Sequence, residues 1–323
     1  MPNEFNVFKS EVFNPAIDEA LEKSCDRGFG REPCYTAALT MELPRILNGI
    51  INGETKKSGL PPKYRFGSCY VHQKPYVKFG HSFKLRCELG DLLVLVKKTI
   101  NGVAAFNSAL FQLKKTSDKK YQVSWSGGEN TQLTLYTRWG HLKIDLKAEH
   151  TTEYDVTPHA VSQGGSYMFI RRDKQHPKFV VAVPDRDMET LVPPSFGYYS
   201  CPISLGHYLS RMAQWNCGRS IAPKNDVNTE CTDEWSRLIW RVIELIKGAE
   251  PSCKGYGKVK RDNECGSLAF LTGCQEIDSI GESDNVDLCD DPALKGFGVF
   301  YIEELDNEKI EYGMHQKGCN REG

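Results

Sequence analysis

No apolar run in the 323-residue chain approaches the ~20 residues a helix needs to span a bilayer, which argues against a transmembrane helix. Met1 to Phe13 lacks a basic start followed by an apolar core, so no signal peptide is expected and the chain is read as cytoplasmic. Cys-x-x-Cys is absent, and with it the strongest zinc signature. G-x-x-x-x-G-K-[ST], H-E-x-x-H and G-x-S-x-G are absent too. Their absence argues against an ATP motor, a zinc protease and a serine hydrolase. There is no internal repeat. Net charge is also nearly missing, at −1 from 41 Lys+Arg and 42 Asp+Glu.

That neutrality is a cancellation. Residues 54–147 hold 17 Lys/Arg against 6 Asp/Glu, a net +11, and residues 262–323 hold 4 against 15, a net −11. Such asymmetry points to a polyanion-facing part and an acidic end. Hydrophobic residues at 40% and aromatics at 11% suffice for a packed core. The twelve cysteines read as reduced thiols in a cytosol. Five of them (Cys253, Cys265, Cys274, Cys289, Cys319) crowd the C-terminal part, with His315 nearby. Their irregular spacing favours buried free thiols over a zinc site.

Helices are expected over 14–24, starting at Asn14-Pro15, and over 35–51, closed by Asn52-Gly53, with Pro44 starting a new turn or kinking the second. Val71 to Phe79 reads as a short mixed strand. Leu92 to Val96 is a continuous apolar run, as in a strand buried on both faces. Asn101-Gly102 follows, and Val103 to Lys115 returns beside it, so 88–115 reads as a hairpin inside a sheet. Further strands are expected at 167–170 and 179–183, and helices at 205–215 and 232–247, the latter capped by Thr232. The result is an α/β chain with a mixed central β-sheet flanked by helices over residues 1–250. Residues 251–323 form an acidic, Cys-rich C-terminal subdomain with one apolar stretch at 297–302.

The second hairpin strand carries the chemistry. Alternation turns Ala109, Phe111 and Leu113 to one face and Leu110, Gln112 and Lys114 to the other. Asp91, at the head of the facing apolar strand, is desolvated and needs a partner, for which Lys114 or a divalent metal is suited. Asp91 is a hard ligand for Mg²⁺, and the Gln112 carbonyl can be a second. Lys114 can orient or deprotonate a water and offset charge developing on a phosphate. The bland reading is a soluble hairpin with Gln112 and Lys114 on its outer face.

Asp91, a hairpin, then Gln112-Leu113-Lys114 resembles the PD-(D/E)XK nuclease superfamily, in the Gln-x-Lys variant of Mrr-type restriction endonucleases. The stretch from Cys87 to Leu93, with Ala109 to Lys114, is similar to bacterial proteins of restriction or anti-phage loci. The resemblance spans roughly residues 70–140. It implies a restriction-endonuclease-like fold and a DNA endonuclease dependent on Mg²⁺ or Mn²⁺. Asp91, Gln112 and Lys114 would be the catalytic residues and Asp91 and Gln112 the metal ligands. Glu88 and, from the preceding helix, Glu42 are candidate extra carboxylates. Because Glu88 lies three residues before Asp91, joint ligation would need a bulge or a turn before the strand.

His72, Lys74, Lys97, Lys98, Lys115, Lys119 and Lys120 are candidate nucleic-acid contacts, set against solvated or structural roles. Trp125, Tyr136 and Trp139 can stack on bases or pack in the core, and Arg171-Arg172 can grip a phosphate or line the surface. The expected partner is DNA, with other defence proteins supplying sensing or ATP-driven activity, no membrane, and a homo-oligomer as an open alternative. Gln112 stands where most members carry an acid. That favours the rival reading of a non-catalytic nuclease-like subunit that binds nucleic acid or an assembly.

Overall fold

The computed structural model describes residues 10–26, 32–58, 64–71, 75–100, 103–116, 122–123, 128–145, 152–156, 164–172, 177–182, 197–198, 203–223, 233–248 and 297–304. Three helices come first: α1 (Ser10–Asp26), α2 (Glu32–Met41) and α3 (Leu43–Ser58). α1 begins four residues earlier than expected. Pro15 lies inside it on the exposed side, where solvent can satisfy the carbonyl that its missing N–H leaves free. Pro44 is the second residue of α3, where no intrahelical acceptor is required, so it starts a new helix. Asn52-Gly53 does not close that helix, which runs on to Ser58. An interior glycine costs only ~1 kcal/mol, and tertiary anchoring overrides it. The Asn48 amide supplies such an anchor, donating to the Phe66 carbonyl at 2.7 Å and accepting from the Phe66 N–H at 3.1 Å.

The strands and later helices follow in order. They are β1 (Tyr64–Val71), β2 (Tyr76–Phe79), β3 (Leu85–Glu88), β4 (Leu92–Ile100), β5 (Val103–Thr116), β6 (Gln122–Val123) and α4 (Gly128–Arg138). Then come β7 (Gly140–Ile144), β8 (Glu153–Val156), β9 (Gly165–Arg172), β10 (Pro177–Ala182), β11 (Gly197–Tyr198) and β12 (Ile203–Ser204). The described chain ends with α5 (Leu205–Ala213), β13 (Arg219–Ile221), α6 (Glu234–Gly248) and β14 (Phe297–Glu304). The expected strand over 71–79 is thus the end of β1 and the whole of β2. α6 is capped by Asp233, whose carboxylate accepts the N–H groups of Trp235 and Ser236, both at 3.2 Å. Thr232, Asn101 and Gly102 lie outside the described residues.

The fold is mixed α/β. Its main sheet runs β1–β14–β4–β5–β9–β10–β12, with β13 against the first part of β5. β14 lies parallel to β4 and β9 parallel to β5; the other pairs are antiparallel. The link from β5 to β9 passes through α4, as a parallel pair requires. A smaller sheet, β3–β2–β7–β8, forms between these segments. Residues 92–96 are buried throughout, as a central strand should be.

β14 brings part of the C-terminal segment into the main sheet. Residues 297–302, the apolar stretch within 251–323, are buried in a strand that lies between β1 and β4. An uninterrupted apolar run is the pattern of a strand covered on both faces, and only the sheet centre provides that cover. Apart from β14, residues 251–323 lie outside the described set, including the five cysteines and His315. Among the described residues, no helix is long and apolar enough to cross a membrane.

Strand alternation sorts the core into two layers. Leu92, Val94, Phe111, Leu113, Met168 and Phe300 pack against α1, α2, α3 and α5. Leu93, Leu95, Leu110, Tyr167, Phe169 and Tyr301 pack against α4, α6 and the smaller sheet. At Gly298 a Cβ would come within 2.5 Å of Thr40 Cγ2 and 3.1 Å of Leu92 Cδ1, so α2 sits directly on β14. Gly298→Val is therefore expected to lower stability by about 1–3 kcal/mol in urea unfolding. A chain ended at residue 296 should lose cooperative unfolding altogether, because β1 and β4 would both lose their shared neighbour.

Candidate functional site

The site forms where the smaller sheet hands the chain to the main one. β3 ends at Glu88, Leu89 and Gly90 make the link, and Asp91 stands immediately before β4. The Asp91 N–H donates to the Phe111 carbonyl, and the Asp91 carbonyl accepts the Gly298 N–H, each at 2.8 Å. Asp91 therefore already belongs to the ladder between β5 and β14. With Leu92 paired to Phe111, Asp91 falls opposite Gln112. Its Oδ2 accepts the Leu113 N–H at 2.8 Å.

Gln112 shares its face with Leu110 and so turns toward α4. There its Oε1 accepts from Nε2 of Gln132. The same Nε2 donates to the Glu88 backbone carbonyl at 3.2 Å. One turn on, the Tyr136 hydroxyl donates to the Leu89 carbonyl at 2.8 Å. Gly90 permits this approach, since a Cβ there would lie 3.0 Å from the Tyr136 oxygen and 3.2 Å from the Phe111 carbonyl. Asp91, Gln112 and Gln132 are 2, 3 and 6% exposed. Lys114, two residues beyond Gln112, is half-buried.

The electrostatics match this enclosure. Burial pushes the Tyr136 phenol well above its ordinary value, and Tyr167, Asp91, Cys87 and Glu88 push it further. Two carboxylates thus act on one buried phenol that stays protonated and donating. Burial, aided by Glu88, pushes the Cys87 thiol up to about 12, and burial does the same for Cys217.

The link at Leu89-Gly90 supplies the pre-strand break that lets Glu88 and Asp91 serve one neighbourhood. Glu88 enters through its backbone, while its carboxylate accepts the Tyr76 hydroxyl at 3.1 Å. Glu42 lies between α2 and α3, in the helical layer on the opposite side of the sheet from Gln112. Lys97 and Lys98 are not free for a nucleic acid. They lie within β4 and pair with Glu303 at 2.8 Å and Glu304 at 3.3 Å on β14, so their charges are already met. Lys115 is exposed, and its N–H donates to Glu32 Oε1 at 2.8 Å. Arg171 and Arg172 end β9. His72, Lys74, Lys119, Lys120 and Trp125 lie outside the described residues.

Tyr136 and Trp139 are core residues. Their rings stack at 5.6 Å, and Trp139 meets Trp235 edge-on at 5.1 Å. Gln132 was missed by sequence reasoning. Its signal was a polar residue four before Tyr136 and next to Leu133, on the inward side of a helix.

The oxygen donors here suit a hard cation, but the set is thin. Among the described residues no three His, Cys, Asp or Glu side chains come together to hold a metal. Asp91 offers the carboxylate, and Mg²⁺ is commonly held by one or two carboxylates together with substrate phosphate and water. The fit therefore depends on substrate. Comparison with protein-family models, curated proteins and solved structures finds no match for this chain.

Two outcomes follow from this geometry. Asp91→Ala strands a buried N–H and should cost about 1–3 kcal/mol in urea unfolding. Asp91→Asn retains an acceptor for Leu113 and should recover most of that loss; equal losses would reject the role of the hydrogen bond. With burial pushing them up to about 12, the Cys87 and Cys217 thiols are protonated at pH 8. At pH 8 they should resist iodoacetamide in the folded chain and react once urea unfolds it, as read by peptide mass mapping.

Proposed function

We propose that this chain is a DNA endonuclease of the PD-(D/E)XK kind, dependent on Mg²⁺ or Mn²⁺, acting in the cytoplasm as an effector of restriction or anti-phage defence. The observation that supports it most is the register that sets Asp91 opposite Gln112, with Lys114 one pleat further on the same face. The site also lies within the +11 segment, where a phosphate backbone is attracted.

A cation held by Asp91 would polarise the scissile phosphate and make an attacking water more acidic. The chain's own residues would do the rest. Asp91, fixed by the Leu113 N–H, presents its carboxylate from a rigid strand junction. Lys114 places positive charge beside the phosphate and offsets the negative charge that grows as water attacks. Gln112 orients the reacting group, and the buried walls of Leu93 and Leu110 limit competing water.

A second reading has an observation in its favour. Asp91 is the sole acid on this face of the strand pair, and the Gln112 carbonyl is already engaged by Gln132. This suits a subunit that grips nucleic acid or joins a larger defence assembly without cutting. The two readings part on one experiment. Plasmid incubated with Mg²⁺ or Mn²⁺ should be cleaved, EDTA should prevent it, and Lys114→Ala should lower the rate by about a hundredfold or more while leaving thermal unfolding unchanged. Cleavage undiminished in that variant rejects the assignment. Metal-indifferent DNA binding without cleavage selects the second reading.

A further inference from the structure

We infer that Gln112 serves this site as a phosphate-facing amide donor rather than as a metal ligand, and that Gln132 is the positioning residue that makes it so. The inference rests on the nucleic-acid reading above and assigns one residue a chemistry different from that expected.

A side-chain amide has an accepting end and a donating end, and which end faces which neighbour is set by the hydrogen-bond network. Here the network has an anchor with only one polarity. The Glu88 group at 3.2 Å from Gln132 is a backbone carbonyl, which can only accept. Gln132 must therefore turn its NH₂ toward Glu88. That same NH₂ faces Gln112, so Gln112 must answer with its oxygen. Flipping Gln112 would set two NH₂ groups against each other. Flipping both would set two carbonyl oxygens together at Glu88. Only one arrangement gives both of these contacts a donor and an acceptor, and at these exposures two facing acceptors or two facing donors would be costly.

The Gln112 oxygen is thus committed toward α4, and its NH₂ is at the opposite end of the amide. A cation sharing that oxygen would sit beside the positive hydrogen of the Gln132 amide, which weakens ligation. An NH₂ end suits a phosphate oxygen, which only accepts. Asp91, opposite Gln112 and just before β4, keeps the cation role to itself. Donor and carboxylate would then take different parts of one phosphodiester: the amide a non-bridging oxygen, the carboxylate the cation beside it.

The test uses the full chain in two binding measurements. A fluorescent DNA duplex is titrated in EDTA at low salt, and Mn²⁺ is titrated by electron paramagnetic resonance with saturating duplex present. Gln112→Met removes the donor at similar volume. Gln112→Glu keeps an oxygen for Gln132 and replaces the donor with a second acceptor. The expected result is a roughly fivefold loss of duplex affinity in Gln112→Met and about tenfold or more in Gln112→Glu, with Mn²⁺ affinity in Gln112→Met within about twofold of the parent. Gln132→Met, which frees Gln112 to rotate, should lower duplex affinity without touching DNA, with thermal unfolding of each variant recorded alongside.

Unchanged duplex affinity in both Gln112 variants overturns the inference, as does loss of Mn²⁺ binding in Gln112→Met that equals or exceeds its loss of duplex binding. Those results leave the nuclease reading standing. A parent chain that binds neither duplex nor Mn²⁺ removes that reading and this inference together.

Discussion

The structure turns on Asp91. Its backbone closes the gap between β5 and β14, donating to Phe111 and accepting from Gly298, while its carboxylate accepts Leu113 one step along β5. One residue thus joins three strands in the middle of the sheet. A carboxylate at 2% exposure is costly to hold ionised unless it is hydrogen-bonded, and the Leu113 N–H meets part of that cost. The group that organises the sheet junction is also the group with the strongest claim to chemistry. Its position is therefore as rigid as the sheet itself, which suits a site that must hold its geometry within a fraction of an ångström.

The central hairpin and the face carrying Gln112 were legible in the sequence because both are local signals. An unbroken apolar run marks a strand covered twice, and strict alternation assigns side chains to faces. β14 was legible as a strand but not as a neighbour of β4. Its partners lie about two hundred residues away, and no local pattern states which edge an apolar strand will join. Gln132 was illegible for the same reason. Its role depends on a helix reached through a crossover and on a carbonyl belonging to Glu88. Pattern reading finds residues that share an element; it does not find those that meet across layers.

The charge asymmetry of the chain takes on a structural meaning at β14. Glu303 and Glu304 come from the acidic end and Lys97 and Lys98 from the basic block, and they pair across adjacent parallel strands. Part of the cancellation in the net charge of −1 is therefore carried out inside the fold. These half-buried pairs add little stability on their own account. Their effect lies in register. A one-residue slip of β14 would break at least one of the two pairs, so together they reinforce the register in which the Gly298 N–H meets the Asp91 carbonyl.

Enclosure constrains how the site works. Leu93 and Leu110 wall one end of the Asp91–Gln112 pair, and α4 with Gln132 and Tyr136 covers it from above. Further along β5 on the same face stands Lys114, which is half-buried. On the proposed nuclease reading, a phosphate approaching from the Lys114 side would meet positive charge before the buried amide and carboxylate. That order is favourable, because the anion is stabilised by Lys114 before it loses its water.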